Sequence, residues 1–207
     1  MLRVGLTGGI ACGKSVVASL FESRGARLHR ADEESRHLMD PGGPAWAAVQ
    51  GRFGPGIVRT DGTIDRPALS RIVFRDAAAR LDLEKIIHPL VIAGLKTAAA
   101  QAEAEGSVRI FVSEAALIYE TGLAGWFDRI VVVHCDRETQ MSRLVARDGI
   151  SRKEAGLRLA AQLDPAEKAR RADYVIDTSG ALEETLARAE AVFTLLLDES
   201  SAPLLNA

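Results

Sequence analysis

The sequence has 207 residues, a hydrophobic fraction of 47% and a formal net charge of -2 from 26 basic and 28 acidic side chains. This length and composition predict one globular domain with a sizeable core and room for an inserted subdomain, and they exclude a disordered chain. The balanced charge excludes a nucleic-acid or membrane-surface binder that works through overall charge.

The first recognisable element is a glycine-rich turn between a short strand and a helix. The pattern G-x-x-x-x-G-K-S runs from Gly8 to Ser15, between the β-compatible residues 2–6 and apolar residues at helical spacing over 16–21. Its glycines permit backbone conformations in which amide hydrogens converge on phosphate oxygens, and the positive end of the helix adds to that field. The turn therefore predicts a nucleoside triphosphate site.

Two side chains of this turn have specific expected roles. Lys14 is placed to reach the outer phosphates, and the Ser15 hydroxyl is placed to ligate Mg²⁺. The alternative is an ordinary glycine-rich turn, which the agreement of spacing, Lys-Ser pair and flanking elements disfavours. The predicted ATP-binding residues are Gly8, Gly9, Ile10, Ala11, Cys12, Gly13, Lys14, Ser15, Val16 and Arg147.

A second strand, 26–29, leads to Asp32 and to an acidic first helical turn. Asp32 fits two interpretations. It is either the cap of the following helix or a carboxylate that accepts a proton from a substrate hydroxyl.

Residues between the second and third strands predict several helices. One helix covers 45–53, a second starts at 65–67, and two more cover 77–87 and 90–105. A change of axis is expected at Pro89, because proline disfavours helix at the residue before it. The expected apolar stripe of the second helix is Leu69, Ile72, Val73 and Phe74. This stretch is too long for a simple crossover, so it predicts a subdomain that adds a substrate wall.

Three nearly continuous apolar runs, 107–113, 129–134 and 173–177, predict further buried parallel strands. An amphipathic helix over 182–197 and a tail over 200–207 end the chain. Strands that alternate with helices predict a parallel five-stranded sheet with both faces covered, and ligands of such sheets bind beyond the carboxyl ends of the strands. The glycine turn, Asp32 and Glu114 are therefore expected at one crevice.

The helix after the fourth strand is predicted to begin at the cap residue Asp136 and to place Gln140, Arg143 and Arg147 on one face. The segment 137–171 holds nine basic residues, which fits either a solvated surface or a mobile lid over phosphates. Arg143 and Arg147 favour the second interpretation because their helix starts at the ligand edge of the sheet. The next helix is predicted to start at a capping box formed by Ser151 and Glu154.

Glu114 ends the third strand, where it is either an acid near Mg²⁺-bound water or a strand-end partner of an arginine. Cys12 and Cys135 are far apart in sequence and are expected to be free thiols in a reducing compartment. The four histidines have no metal-ligand spacing. No cleavable leader fits, and no uncharged apolar run approaches the ~20 residues that span a bilayer. These observations predict a cytoplasmic protein with no membrane partner.

Several segments together resemble the dephospho-coenzyme A kinase family over nearly the whole chain. They are the opening Gly5-Leu6-Thr7-Gly8-Gly9-Ile10, the pair Ala31-Asp32, the run Asp61-Gly62-Thr63-Ile64-Asp65-Arg66, the signature Ile87-His88-Pro89, the lid residues Gln140, Arg143, Arg147 and Gln162, and Ala172-Asp173-Tyr174-Val175-Ile176.

The resemblance implies a P-loop nucleoside triphosphate hydrolase-like three-layer α/β fold and phosphorylation of the ribose 3′-hydroxyl of dephospho-CoA by ATP with Mg²⁺. It implies a single domain with a core over 1–31, 107–147 and 172–199, a CoA-binding helical insertion over 32–106 and a lid over 148–171. Catalytic roles then fall to Asp32, Lys14 and Arg143, and substrate binding to Asp32, Arg66, His88 and Glu114. A monomer without a nucleic-acid partner is expected.

Four positions depart from the family pattern. Arg30 replaces the first Asp of an Asp-Ala-Asp motif, Ala11-Cys12 replaces Gly-Ser, the segment from Glu114 to Glu120 lacks a proline and has a longer acid at its start, and Thr178 replaces an Asn. Two alternatives stay open: a kinase for another small metabolite or nucleotide, and a GTPase-like switch. The sequence lacks the guanine-reading Asn-Lys-x-Asp segment that a GTPase-like switch would have.

Overall fold

The computed structural model describes residues 1–201, and the chain divides into two compact units. The first unit contains Met1–Arg30 and the chain from Ala98 onward, and the second is Ala31–Thr97. The predicted roles of a CoA-binding insertion and a lid stay predictions. Part of the predicted tail, 202–207, lies outside the described residues.

The first unit is built on a sheet of five parallel strands in the order β2-β3-β1-β4-β5. The strands are β1 Leu2–Gly8, β2 Arg27–Arg30, β3 Ile110–Glu114, β4 Arg129–His134 and β5 Tyr174–Asp177. This confirms the five-stranded parallel sheet. The third strand was predicted to begin at residue 107, but it begins at Ile110, the first residue that pairs with β1. The central strands β1, β3 and β4 are buried along most of their length, which their continuous apolar sequences require.

Nine α-helices lie within the described part of the chain. They are α1 Lys14–Ser23, α2 Ala31–Leu38, α3 Trp46–Phe53, α4 Arg66–Val73, α5 Ala77–Ala104, α6 Arg137–Asp148, α7 Arg152–Ala160, α8 Pro165–Arg170 and α9 Leu182–Ser201. The capping predictions are confirmed: Asp136 accepts from the Thr139 amide, and Ser151 and Glu154 form a capping box. The last helix continues to Ser201, past the predicted end at residue 197.

Each unit has its own core. In the first unit, the sheet packs on α1 and α9, where the rings of Phe21 and Phe193 lie 5.1 Å apart. In the second unit, buried residues from α3, α4, α5 and the intervening turns pack together: Ala45, Val49, Ile57, Ile64, Leu69, Val73 and Ile87.

Two local expectations in the second unit were wrong. Pro89 does not interrupt the helix, because α5 continues through it; proline removes one backbone hydrogen bond, and the remaining bonds of a 28-residue helix carry the segment. Ile72 is exposed, and within α4 only Leu69 and Val73 of the expected stripe are buried.

Of the two interpretations of Asp32, the structure excludes the cap, because α2 begins at Ala31 directly after β2 and Asp32 lies within its first turn.

The structure also bears on membrane association. Of the helices within residues 1–201, none combines the length and the apolar character that a bilayer-spanning helix needs.

Candidate active site

The glycine turn lies at the carboxyl edge of the sheet, where β1 ends at Gly8 and α1 begins at Lys14. A Cβ at Gly8 would lie 2.2 Å from the Val133 carbonyl oxygen of β4, so only glycine permits this approach. Gly13, which precedes the helix, has a left-handed backbone with φ 80°. Glycine is therefore needed at position 8 for the close approach to β4 and at position 13 for the left-handed backbone.

Lys14 is buried within the turn. Its ammonium donates to the carbonyl oxygens of Gly8 and Gly9 at 3.1 and 3.2 Å. These two carbonyls hold the charge at the centre of the loop. A phosphate oxygen that enters the loop would take the place of carbonyl acceptors around an ammonium that is already positioned.

Ser15 is exposed in the first turn of α1. Its hydroxyl is a hard oxygen donor of the kind that Mg²⁺ accepts, and Mg²⁺ is usually held by one or two protein oxygens with water and phosphate oxygens completing the shell. Residues 1–201 contain no group of three or more His, Cys, Asp or Glu side chains that could hold a metal ion.

Ala11 has a φ of 61° and is the one non-glycine residue with positive φ among residues 1–201. This left-handed conformation costs an L-residue roughly 1–2 kcal/mol. The loop keeps the backbone shape that glycine usually provides, although the sequence has alanine.

Two glutamine side chains hold the peptide groups of Ile10. The Gln140 amide on α6 donates to the Ile10 carbonyl at 2.8 Å, and the Ile10 amide donates to the Gln162 side-chain oxygen at 2.9 Å. Ile10 and Ala11 also pack against a small core of Leu144, Ala155 and Leu159 from α6 and α7. The basic segment therefore contacts the loop directly.

Arg143 on α6 contacts the loop that follows β5. Its guanidinium donates to the Thr178 carbonyl at 2.7 Å and to the Thr178 hydroxyl at 3.3 Å. Thr178 is buried, and its hydroxyl lies 2.9 Å from the Cys12 carbonyl oxygen. Thr178 thereby links the glycine turn to the helix that carries Arg143.

Arg147 lies one turn further along α6 and is exposed. Its guanidinium donates to the neighbouring Asp148 at 2.7 Å, and Asp148 also pairs with Arg158. These guanidinium groups hold the pKa of the Asp148 carboxyl below its usual range.

Glu114 ends β3 in register with Leu6 of β1 and Arg30 of β2, at the same edge as the glycine turn. Arg30, at the departure from the family motif, pairs with Glu22 of α1 at 2.6 Å. These positions place a carboxylate at the ligand edge of the first unit.

An ion pair between a buried lysine and a partly exposed glutamate anchors α8 to the segment after β3. The side chain of Lys168 is inaccessible to solvent; its ammonium donates to the Ala116 carbonyl at 2.7 Å and lies 2.8 Å from Glu120. Glu120 also accepts from the Leu163 amide at 3.0 Å. The sequence interpretation left Lys168 within a basic segment that fits either a solvated surface or a lid, and it gave no signal of the partner Glu120.

Three predicted site residues belong to the second unit. Asp32 is exposed in the first turn of α2. Arg66 donates to the Arg36 carbonyl at 3.0 Å and to Asp40 at 3.3 Å. His88 is partly buried within α5, and burial lowers its pKa. Their roles stay predictions.

The two cysteines meet although 123 positions separate them. Both are free and buried, and the Cys135 thiol donates to the Cys12 sulfur across 3.4 Å. This hydrogen bond, with help from the Lys14 ammonium and against burial, lowers the pKa of Cys12 to about 7. The same hydrogen bond, with burial, raises the pKa of Cys135. Sequence separation gave no signal of this contact.

A lysine-bearing phosphate loop at the carboxyl edge of a parallel sheet, contacted by helices rich in arginine, defines the class of P-loop kinases. Comparison with known proteins identifies the family within this class.

The family model "CoaE: Dephospho-CoA kinase" matches residues 2–184. A dephospho-CoA kinase of Symbiobacterium thermophilum is 45% identical over 93% of this chain and 80% of its own length. The crystal structure of TT1252 from Thermus thermophilus has a TM-score of 0.76 and 32% identity, covering 94% of this chain and 97% of that one. A dephospho-CoA kinase from Campylobacter jejuni has a TM-score of 0.68 and 25% identity, covering 95% and 98%. The chain belongs to the dephospho-CoA kinase family.

Proposed function

We propose that this enzyme transfers the γ-phosphoryl group of ATP to the ribose 3′-hydroxyl of dephospho-CoA, the last step of coenzyme A biosynthesis. The observation that carries the proposal is the match of the family model to residues 2–184, a range that includes both the phosphate loop and the whole second unit.

The donor side of the reaction is assigned to the loop and α1. Backbone amides over 8–15 hold phosphate oxygens, and Lys14 exchanges its carbonyl acceptors for oxygens of the outer phosphates. Mg²⁺ held by the Ser15 hydroxyl would neutralise charge on the phosphates. Val16 follows in the first turn, where its amide donates to the Gly13 carbonyl at 3.1 Å, so its expected part in ATP binding is to fix the start of the helix.

The arginines of α6 contribute positive charge as the phosphoryl group transfers. Arg143 is held by Thr178 in the structure, and the N–H groups that Thr178 does not use could donate to a phosphate. Arg147 is paired with Asp148 at the surface and has the more exposed side chain, which suits a contact made after ATP binds.

The roles toward the acceptor are assigned to individual residues. Asp32 accepts the proton of the attacking 3′-hydroxyl, and its exposed carboxylate leaves it open to a substrate. Arg66 and His88 bind the CoA portion. Glu114 binds substrate from the end of β3. ATP and dephospho-CoA are thus the two substrates, and a monomer without a nucleic-acid partner is the expected working form.

A coupled assay tests the reaction by comparing dephospho-CoA with nucleoside monophosphates and shikimate as acceptors. Phosphorylation of dephospho-CoA with little turnover of the others supports the proposal. Equal or faster turnover of another acceptor, or tight GTP binding without any phosphorylated acceptor, would contradict it.

Substitution of Asp32 tests its assigned role. Asp32→Asn is expected to lower kcat by about 10²–10⁴, the range for a general base, while ATP binding measured by calorimetry is retained. Glu33→Gln, one residue further along the same helix, is the matched control and should leave kcat within a few-fold. Near-normal turnover of the Asp32→Asn enzyme would remove Asp32 as the base.

A further inference from the structure

The proposed phosphoryl transfer uses no thiol, yet the phosphate loop contains one. The two cysteines of the sequence, Cys12 in the loop and Cys135 just after β4, have their sulfur atoms 3.4 Å apart. Both side chains are buried, with 0% and 2% exposure. Two small apolar side chains could share such a position for packing alone, so the charges and hydrogen bonds around them decide the interpretation.

Those surroundings make the two sulfurs chemically unequal. Cys12 accepts a hydrogen bond from Cys135 and faces the Lys14 ammonium, so it favours the thiolate, whereas Cys135 keeps its proton. Arg143 and Asp136 also act on Cys135, with opposite signs. A thiolate beside a protonated thiol is the arrangement in which one sulfur attacks an oxidant and the other resolves the product. Because both side chains are buried, the oxidant reaches Cys12 when the phosphate loop opens.

We propose that Cys12 and Cys135 form an oxidisable dithiol, which hydroperoxides convert to a disulfide that disables the phosphate loop. The loss of kinase activity rests on the proposed function of that loop, whereas formation of the disulfide does not.

The reaction balances in two steps. The Cys12 thiolate attacks one peroxide oxygen, the O–O bond breaks, and the leaving oxygen takes a proton to give an alcohol or water and a Cys12 sulfenic acid. The Cys135 sulfur then attacks the Cys12 sulfur, the S–S bond forms, the S–O bond breaks, and hydroxide leaves as water with the Cys135 proton. Two thiols and one hydroperoxide give one disulfide, one alcohol or water, and one water.

The disulfide would change the loop. A sulfur–sulfur bond is about 2.05 Å long, so the two sulfurs must approach by about 1.4 Å. β4 is a central strand of the sheet, whereas Cys12 lies in a turn, so the turn is the part that moves. Its amides and the carbonyls that hold Lys14 would then leave the arrangement that fits phosphates. Bound ATP would occupy the loop and oppose this movement.

Hydrogen peroxide treatment of the full chain tests the proposal. The expected result is a mass decrease equal to the two thiol hydrogens, a Cys12–Cys135 crosslinked peptide in a protein that runs as a monomer on a non-reducing gel, and loss of kinase activity. Dithiothreitol should restore thiols and activity together, and ATP should slow crosslinking several-fold. Oxidation that yields no crosslinked peptide, or crosslinking that leaves activity unchanged, would overturn the proposal.

Cys135→Ser and Cys135→Ala provide the matched variants, since Cys135 has no assigned part in substrate binding. Both are expected to keep kinase activity before oxidation. With peroxide they should gain oxygen on Cys12 and lose activity that dithiothreitol restores less completely than in the parent. If the variants recover as fully as the parent, the resolving role of Cys135 is wrong. If the unmodified protein phosphorylates no dephospho-CoA before treatment but forms the crosslink with peroxide, the proposed function fails and the dithiol stands.

Discussion

Thr178 shows how one residue joins two parts of the phosphate site. Its hydroxyl lies within hydrogen-bond distance of the Cys12 and His134 carbonyl oxygens and donates to one at a time, while its carbonyl accepts from Arg143. A longer side chain such as asparagine, usual in the family at this position, would place its polar atoms further from the backbone. Thr178 and Cys12, two departures from the family pattern, are therefore direct partners.

Ala11 has a left-handed backbone, so replacing it with glycine should stabilise the protein. Relief of strain outweighs the added freedom of the unfolded chain, and the free energy of unfolding should rise by about 0.5–1 kcal/mol in urea titrations. The control is Ala100→Gly, at an exposed position inside α5, which should lose about 1 kcal/mol. If both variants lose stability, Ala11 carries no strain.

The pH dependence of thiolate absorbance tests the environment of Cys12. In the folded protein the ultraviolet absorbance of the Cys12 thiolate should rise with pH and reach half its maximum near the Cys12 pKa of about 7. In Cys135→Ala the midpoint should move to higher pH, because the hydrogen bond from Cys135 is the largest cause of the lowered pKa. An unchanged midpoint would show that this bond does not stabilise the thiolate.

At the scale of elements, the phosphate loop and its flanking strand and helix were predictable, because the glycine spacing, Lys14 and Ser15 each have a local reason. The contacts made by α6 to α8 were not. Gln162 and Lys168 lie in a polar stretch, and a polar pattern alone does not distinguish a solvated face from one that meets a backbone amide or a carboxylate. Those partners are brought together only by the folded chain.

The Lys168–Glu120 pair predicts how firmly α8 is held. Lys168→Met should lower the free energy of unfolding by about 1.5–3 kcal/mol, the range for a lost hydrogen bond to a charged group, because Glu120 is partly exposed and keeps the Leu163 amide. The matched control on the same helix is Arg170→Met, which removes an exposed pair with Glu167 and should change stability by less than about 0.5 kcal/mol.

A double variant separates the energy of the ion pair from the packing of its two side chains. Adding Glu120→Leu to Lys168→Met removes the uncompensated carboxylate and should recover part of the lost stability in chemical denaturation. Strictly additive losses would show that the two side chains do not stabilise each other.

For the molecule as a whole, the order of apolar runs and turns predicted a parallel five-stranded sheet, since buried parallel strands and amphipathic helices have distinct patterns. The continuous α5 was missed because Pro89 and His88 were judged by local rules, whereas the long helix is sustained along its whole length. The partnership of Cys12 and Cys135 depends on the carboxyl end of one strand meeting the loop after another, which sequence spacing does not report.

The core of the first unit predicts where global stability resides. Phe193 is 2% exposed and packs on Phe21, so Phe193→Ala should lower the free energy of unfolding by about 3–5 kcal/mol. Leu195→Ala, two positions along the same helix and 49% exposed, should change it by no more than about 0.5 kcal/mol. Thermal and urea denaturation should give the same order of stability for the two variants. If Leu195→Ala lost as much stability as Phe193→Ala, the assignment of the Phe193 face of α9 to the core would be contradicted.

The ion pair of Arg30 and Glu22 joins the end of β2 to α1 through side chains that both remain partly in water. An aspartate at position 30, as the family motif has, is too short to make this contact. Because salt screens a partly exposed pair, the contribution of this pair to holding β2 against α1 weakens as ionic strength rises.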